Sequence, residues 1–191
     1  MTFMIKPRQL TTAILCGMLM TNAFAQNGPK PATEATKKAN AAVLGELPFG
    51  DRQDFEDAQR GFIAPLPDKG IVRNAKGEVV YDASRFEIPL DQAAPDTVNP
   101  SFWRVSQLNG INGLFKVIDG IYQVRGADLS VISFIEGKEG VIIVDPLVSA
   151  ETAKMALGLY QKHRPGKPVK AVIYTHSHVD HFGGVRGVIT E

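Results

Sequence analysis

The sequence predicts an α/β fold in which helices pack on a mixed sheet. Three observations carry this expectation. From Leu114 onward the chain breaks into short apolar runs separated by glycine. The first four of these runs pair into two antiparallel hairpins. A strand, a helix and another strand then follow at the spacing of a right-handed crossover between parallel neighbours.

The elements follow in chain order. Residues 1–25 carry Lys6 and Arg8, then the apolar run "TTAILCGMLM", then Ala23-Phe24-Ala25. A basic start, a short apolar stretch and a small-x-small site make a secretory signal peptide cut before Gln26, and the run is too short to span a bilayer. The expected location is periplasmic or secreted, with no stable membrane anchor once the leader is cut. Cleavage removes Cys16, the only cysteine, so no internal disulfide is available and stability must come from packing and metal. It also leaves 19 basic against 20 acidic residues, a net charge of about −1. So even a balance, with no clustered basic face, excludes a nucleic-acid footprint.

Residues 26–110 read as an N-terminal extension. A flexible lead-in holds a weak helix near residues 34–44, and "DRQDFEDAQRG" is a short helix, acidic at its start and stopped by Gly61. "GIVRNAKGEVVYD" is a hairpin turning at Asn74–Gly77. "IPLDQAAPDTVNPSFW" reads as proline-punctuated connection, with Trp103 as a packing anchor and Asn109 and Asn112 as turn residues.

Residues 111–191 carry the sheet pattern. "LFKVIDGIYQV" turns at Asp119-Gly120, and "LSVISFIEGKEGVIIVD" turns between Gly137 and Gly140. "VIIV" is continuously apolar, as a strand buried on both faces is. Ser149 caps a helix running to about His163, with Ala153, Ala156, Leu157 and Tyr160 on its inner face, and "RPGKP" ends it. "VKAVIY" is the next strand, and "THSHVDHFGG" follows at once.

That last stretch concentrates three of the four histidines, with an aspartate between the second and third. Imidazole nitrogen and carboxylate oxygen suit zinc, or manganese or iron. Asp180 and His181 are adjacent in the chain and do not easily join both earlier histidines on one ion. The economical reading is two ions, one on His176 and His178, the other on Asp180 and His181. Gly183 and Gly184 let the backbone come close as the chain leaves the loop. Topology brings Asp145 to the same edge, at the C-terminal end of its strand. There it is either a carboxylate that orients a ligating histidine or the loop backbone, or a turn residue before Pro146. His163 belongs at the opposite edge, on the surface, and Arg186 reads as a solvated residue.

"THSHVDHFGG" resembles the signature of the metallo-β-lactamase superfamily. "DFEDAQRGFIA", "DTVNPSFWR", "GLFKVIDGIYQVRGADLS" and "DPLVSAETAKMAL" resemble, in addition, its linear alkylsulfatases. The resemblance implies an αββα sandwich of which this chain is the N-terminal part, incomplete as given and inactive alone. It implies hydrolysis of alkyl sulfate esters such as dodecyl sulfate at two zinc ions. It also implies further ligands beyond residue 191 and a homodimer at full length. Two other readings stay open: another superfamily hydrolase, such as a lactamase or thioesterase, and a non-enzymatic exported metal-binding domain.

Overall fold

The computed structural model describes residue 28 and residues 30–189. The expected leader and its cleavage point before Gln26 lie outside the described residues. Among the described residues no helix is long and apolar enough to cross a membrane.

The weak helix of the lead-in is longer than expected. Helix α1 covers Glu34–Glu46, opened by the Thr33 side chain, which accepts from the Thr36 N–H. It buries none of its residues; its alanine content and an i,i+3 pair between Lys37 and Glu34 favour the helix locally. Asn40 then ties it to the chain by donating to the Asp96 carbonyl. Helix α2, Gln53–Gln59, is the expected short one, and Gly61 just beyond it takes a positive φ of 75°.

The stretch read as connection contains a helix, α3, Pro100–Asn109. The Asn99 side chain accepts from the Ser101 N–H and Pro100 sits in the first turn, a start signal that the neighbouring prolines obscured. Asn109 is accordingly the last helical residue, and Asn112 follows in the connection. Trp103 is half-buried and donates its indole N–H to the Gln92 carbonyl. Arg104 fastens α3 to α2, donating to the Asp51 carbonyl and lying 4.8 Å from the Phe55 ring centre.

The main sheet has six strands, and one comes from before residue 110. Strand β1, Phe62–Ala64, pairs antiparallel with β4, Gly113–Ile118. Strands β2, Ile71–Arg73, and β3, Val79–Asp82, form the expected separate hairpin at Asn74–Gly77. Strands β5, Ile121–Arg125, β6, Ile132–Glu136, and β7, Val141–Val144, continue the sheet antiparallel, and β8, Val169–Ile173, adds parallel to β7. The order is β1-β4-β5-β6-β7-β8.

Helix α4, Ala150–His163, joins the two parallel strands, and its start is a full capping box between Ser149 and Thr152. It buries Ala153, Ala156, Leu159 and Tyr160, with Leu157 partly buried beside them. Against them lie Leu114, Val124, Ile132, Phe134, Val141 and Ile143, all fully buried. The Tyr160 ring stacks on Phe134 at 4.3 Å and 4°, a pair worth roughly 0.5–1.5 kcal/mol beyond its burial. Ala64, Leu66 and Ala83 join the same core, so residues on both sides of position 110 build it.

One expectation of the sheet changes. "VIIV" is not buried on both faces: Val141 and Ile143 are buried, while Ile142 and Val144 are only half-buried. Helix α4 covers one face. The alternate face, carrying Ile135, Ile142, Val144 and Ile173, is partly open, and Ile173 is 49% exposed.

Candidate metal centre

The metal loop begins where β8 ends and runs over the turn between β7 and α4. Its glycines show why it needs them. A Cβ on Gly183 would stand 2.2 Å from the Val148 carbonyl oxygen, and one on Gly184 would stand 2.1 Å from that of Pro146. Gly184 also donates its N–H to the Leu147 carbonyl at 2.8 Å. Backbone thus lies on backbone, and any larger residue would push the loop away.

The turn beneath is itself strained. Asp145 and Leu147 both take positive φ, 55° and 65°, a region that costs a non-glycine residue roughly 1–3 kcal/mol. Leu147 is held there by complete burial. Asp145 is held by three hydrogen bonds. Its Oδ1 accepts from the Thr175 N–H at 2.8 Å, and its Oδ2 accepts from the Thr175 hydroxyl at 2.7 Å and from His181 Nδ1 at 2.8 Å. Burial alone would push the Asp145 carboxyl up, but these donors outweigh it and hold the group below its ordinary value. The hydrogen bond to Asp145 in turn raises His181.

These bonds fix protons at named atoms. An ionised carboxylate only accepts, so His181 Nδ1 carries hydrogen, and in the neutral ring Nε2 holds the lone pair. The Thr175 hydroxyl has one hydrogen and gives it to Asp145. It therefore accepts from His176 Nδ1, 2.9 Å away, which leaves Nε2 of His176 with its lone pair. One buried carboxylate sets the tautomer of two histidines, the second through Thr175.

The three loop histidines and Asp180, the expected ligands, lie side by side in the loop. The His176 ring lies 4.7 Å from that of His178 and 4.0 Å from that of His181. His181 Nε2 and Asp180 Oδ2 are 3.2 Å apart. Two donors held at roughly 2.0–2.1 Å on a tetrahedral zinc stand roughly 3.3 Å from each other, so this pair fits one ion. Among the described residues no three His, Cys, Asp or Glu side chains converge as a single site. Zinc's usual three or four ligands therefore require donors beyond the Asp180/His181 pair. His163 lies exposed at the far end of α4, and Arg186 is exposed in a short turn after the loop.

Sequence reasoning missed three residues here: Thr175, Asp128 and Ser130. The Asp128 carboxylate is buried between the β5–β6 connection and α4, and the Ser130 hydroxyl donates to the Asp180 carbonyl. The signal was available. Strand β6 runs antiparallel to β7 with Ser133 opposite Val144, so residues 126–131 emerge at the same edge as Asp145.

Comparison with known proteins matches this picture. Residues 125–191 match the family model of the metallo-beta-lactamase superfamily. A linear primary-alkylsulfatase of Pseudomonas sp. is 60% identical over 170 residues, which is 88% of this chain and 25% of the relative. An (R)-specific secondary-alkylsulfatase of Pseudomonas sp. is 52% identical over 85% of this chain and 24% of its own length. An alkyl/aryl-sulfatase of Saccharomyces cerevisiae is 49% identical over 87% and 26%. The solved structure of the stereoselective inverting sec-alkylsulfatase Pisa1 from Pseudomonas sp. superposes with a TM-score of 0.79 at 52% identity, covering 85% of this chain and 25% of that one. The chain thus spans about a quarter of the length of these relatives. Its mixed sheet, α4 and metal loop share the fold of those enzymes, and metal binding goes with that fold. The chain is thus similar to alkylsulfatases over most of its own length, and residues 125–191 match the metallo-β-lactamase superfamily.

Proposed function

We propose that the complete protein hydrolyses alkyl sulfate esters to alcohol and sulfate at a dinuclear zinc centre. His176 and His178 hold one ion, and Asp180 and His181 hold the other. The observation that carries this reading is the joint one: 60% identity to a linear primary-alkylsulfatase, on a chain whose three loop histidines and Asp180 lie together at one sheet edge.

Zinc bound there would supply Lewis acidity, bringing the ionisation of a water to near neutral pH and offsetting charge on a sulfate oxygen. The rest is the work of this chain's own residues. Asp145 keeps a proton on His181 Nδ1, and through Thr175 keeps one on His176 Nδ1, so that both Nε2 atoms stay available as ligands. The packed glycines hold the four ligands on the turn at 145–149. Because these residues supply only two ligands per ion, the 191-residue chain alone is expected to be inactive.

A preference for medium or long primary alkyl sulfates follows from the similarity to linear primary-alkylsulfatases. Each methylene buried in an apolar groove is worth about 0.8 kcal/mol, so four more improve binding roughly a hundredfold or more. Turnover across a series of alkyl sulfates of rising chain length should therefore climb with length. A flat profile, or turnover of a β-lactam with none of dodecyl sulfate, would favour a different superfamily hydrolase. Export to the periplasm and a homodimeric assembly belong to the same proposal. Mass spectrometry of exported protein should find Gln26 as the N-terminus, and retention of Met1 would rule the cleavage out.

A further inference from the structure

We propose that Asp128 and Ser130 are positioning residues for the Asp180/His181 half of the metal centre. The inference rests on the two-ion reading above and goes beyond it to residues that touch no ligand side chain.

Four contacts carry it. Ser130 is 7% exposed, and its hydroxyl donates to the Asp180 carbonyl, which belongs to the peptide bond joining Asp180 to His181. That bond fixes the peptide plane from which both ligand side chains of one ion spring. Ser130 is held in turn, because Asp128 Oδ1 accepts its N–H at 3.2 Å. The other oxygen, Asp128 Oδ2, accepts from the Val148 N–H at 2.9 Å and from the Thr152 hydroxyl at 2.6 Å. Val148 directly follows Leu147, the second left-handed residue of the strained turn whose first is Asp145. A strained turn keeps its shape only while its surroundings over-determine it. Asp128 thus ties three segments at one point: the β5–β6 connection, the strained turn beneath the loop, and the first turn of α4.

The chemistry requires a carboxylate at this point. The two oxygens face two backbone N–H groups that only donate, one on each. An amide in the same place turns its NH2 toward one of those donors, whichever way it is flipped. Among the described residues the His176/His178 pair has no hydrogen bond to residues 126–131; its link to the Asp180–His181 peptide runs through the His181 N–H, which donates to the His178 carbonyl at 3.0 Å. Its histidine is oriented through Thr175 and Asp145 instead. The proposal is therefore selective: disturbing Ser130 or Asp128 should weaken one ion and spare the other.

The test is stepwise competition of zinc against a chelator on the complete protein, comparing wild type with Ser130→Ala and Asp128→Asn. Melting of the metal-free proteins is recorded alongside. The wild type should hold two ions with separable affinities. In Ser130→Ala the ion assigned to Asp180 and His181 should weaken about 10–100-fold, the range typical of losing a partner behind a ligand. The other ion should stay within about twofold, a difference of under roughly 0.5 kcal/mol. Asp128→Asn should show the same selectivity with a larger loss, and if it fails to fold, Ser130→Ala alone decides. Equal weakening of both ions that tracks a fall in metal-free stability would mean a merely structural role and overturn the proposal. Unchanged affinities in Ser130→Ala would overturn it too, while leaving the two-ion reading intact. A wild type that holds fewer than two ions would overturn both.

Discussion

Two buried carboxylates stand at opposite ends of the same strand pair, and they do different things with similar means. Asp145 sits at the C-terminal end of β7, and Glu136, opposite Val141, sits at its start. Their side chains are 9% and 6% exposed. Glu136 is saturated by side chains that do not reach the metal loop: Arg164 grips both its oxygens at 2.8 Å, Tyr160 donates at 2.9 Å and Lys167 at 3.3 Å. The hydrogen bonds from Arg164 above all, against the opposing pull of burial, hold its carboxyl at about 2. Asp145 accepts as fully, but from groups that lead onward. Its donors are Thr175 and His181, and each connects to a side chain of the metal loop. The difference teaches how to tell a carboxylate that serves the fold from one that serves a site. The first has partners that stay within the fold; the second has partners that lead to the histidines of the loop.

Substitutions at the two positions should separate these roles. Asp145→Ala in the complete protein should cost about 10–100-fold in metal affinity or activity, because two histidines lose the proton placement that frees their Nε2 atoms. Unchanged kinetics would return Asp145 to the standing of a turn residue. Glu136→Gln should leave zinc content and turnover as they are and lower stability instead. The expected loss is about 1–3 kcal/mol, the scale of a charge-assisted hydrogen-bond set at a mostly buried site.

The pH dependence sharpens the contrast. The Glu136 carboxyl is depressed in the fold, so its stabilisation is fully present above its unfolded value of roughly 4.3 and disappears as pH falls through about 2. The gap in melting temperature between wild type and Glu136→Gln should hence be constant near neutral pH and close between roughly pH 4 and pH 2. A gap that persisted below pH 2 would show that shape, and not charge, accounts for the effect.

How much of this the sequence disclosed depends on how local each signal is. The hairpins at Asp119-Gly120 and Gly137–Gly140 and the cap at Ser149 depend on neighbours in the chain, and all were legible. Asp145 was placed at the metal edge by topology alone, yet its partners were not, since Thr175 and His181 lie 30 and 36 positions away. Asp128 and Ser130 were missed for the same reason: their partners in α4 and the metal loop are 24 and 50 residues distant. Helix α3 was missed for a different one. Its Asn99-Pro100 start is a helix signal, but Pro89 and Pro95 shortly before it made the whole stretch read as connection. The second face of β7 was misjudged because apolar content reports what a strand can bury and not what covers it in this chain.

The central claim is that the metal edge holds two ions in two separate pairs. Elemental analysis of the complete protein as wild type, His176→Ala and Asp180→Ala tests it most directly. The account predicts two zinc ions per chain in the wild type and one in each variant, with His176→Ala emptying the site shared with His178 and Asp180→Ala the site shared with His181. Equal depletion of both ions in each variant, or one ion per chain in the wild type, would contradict it.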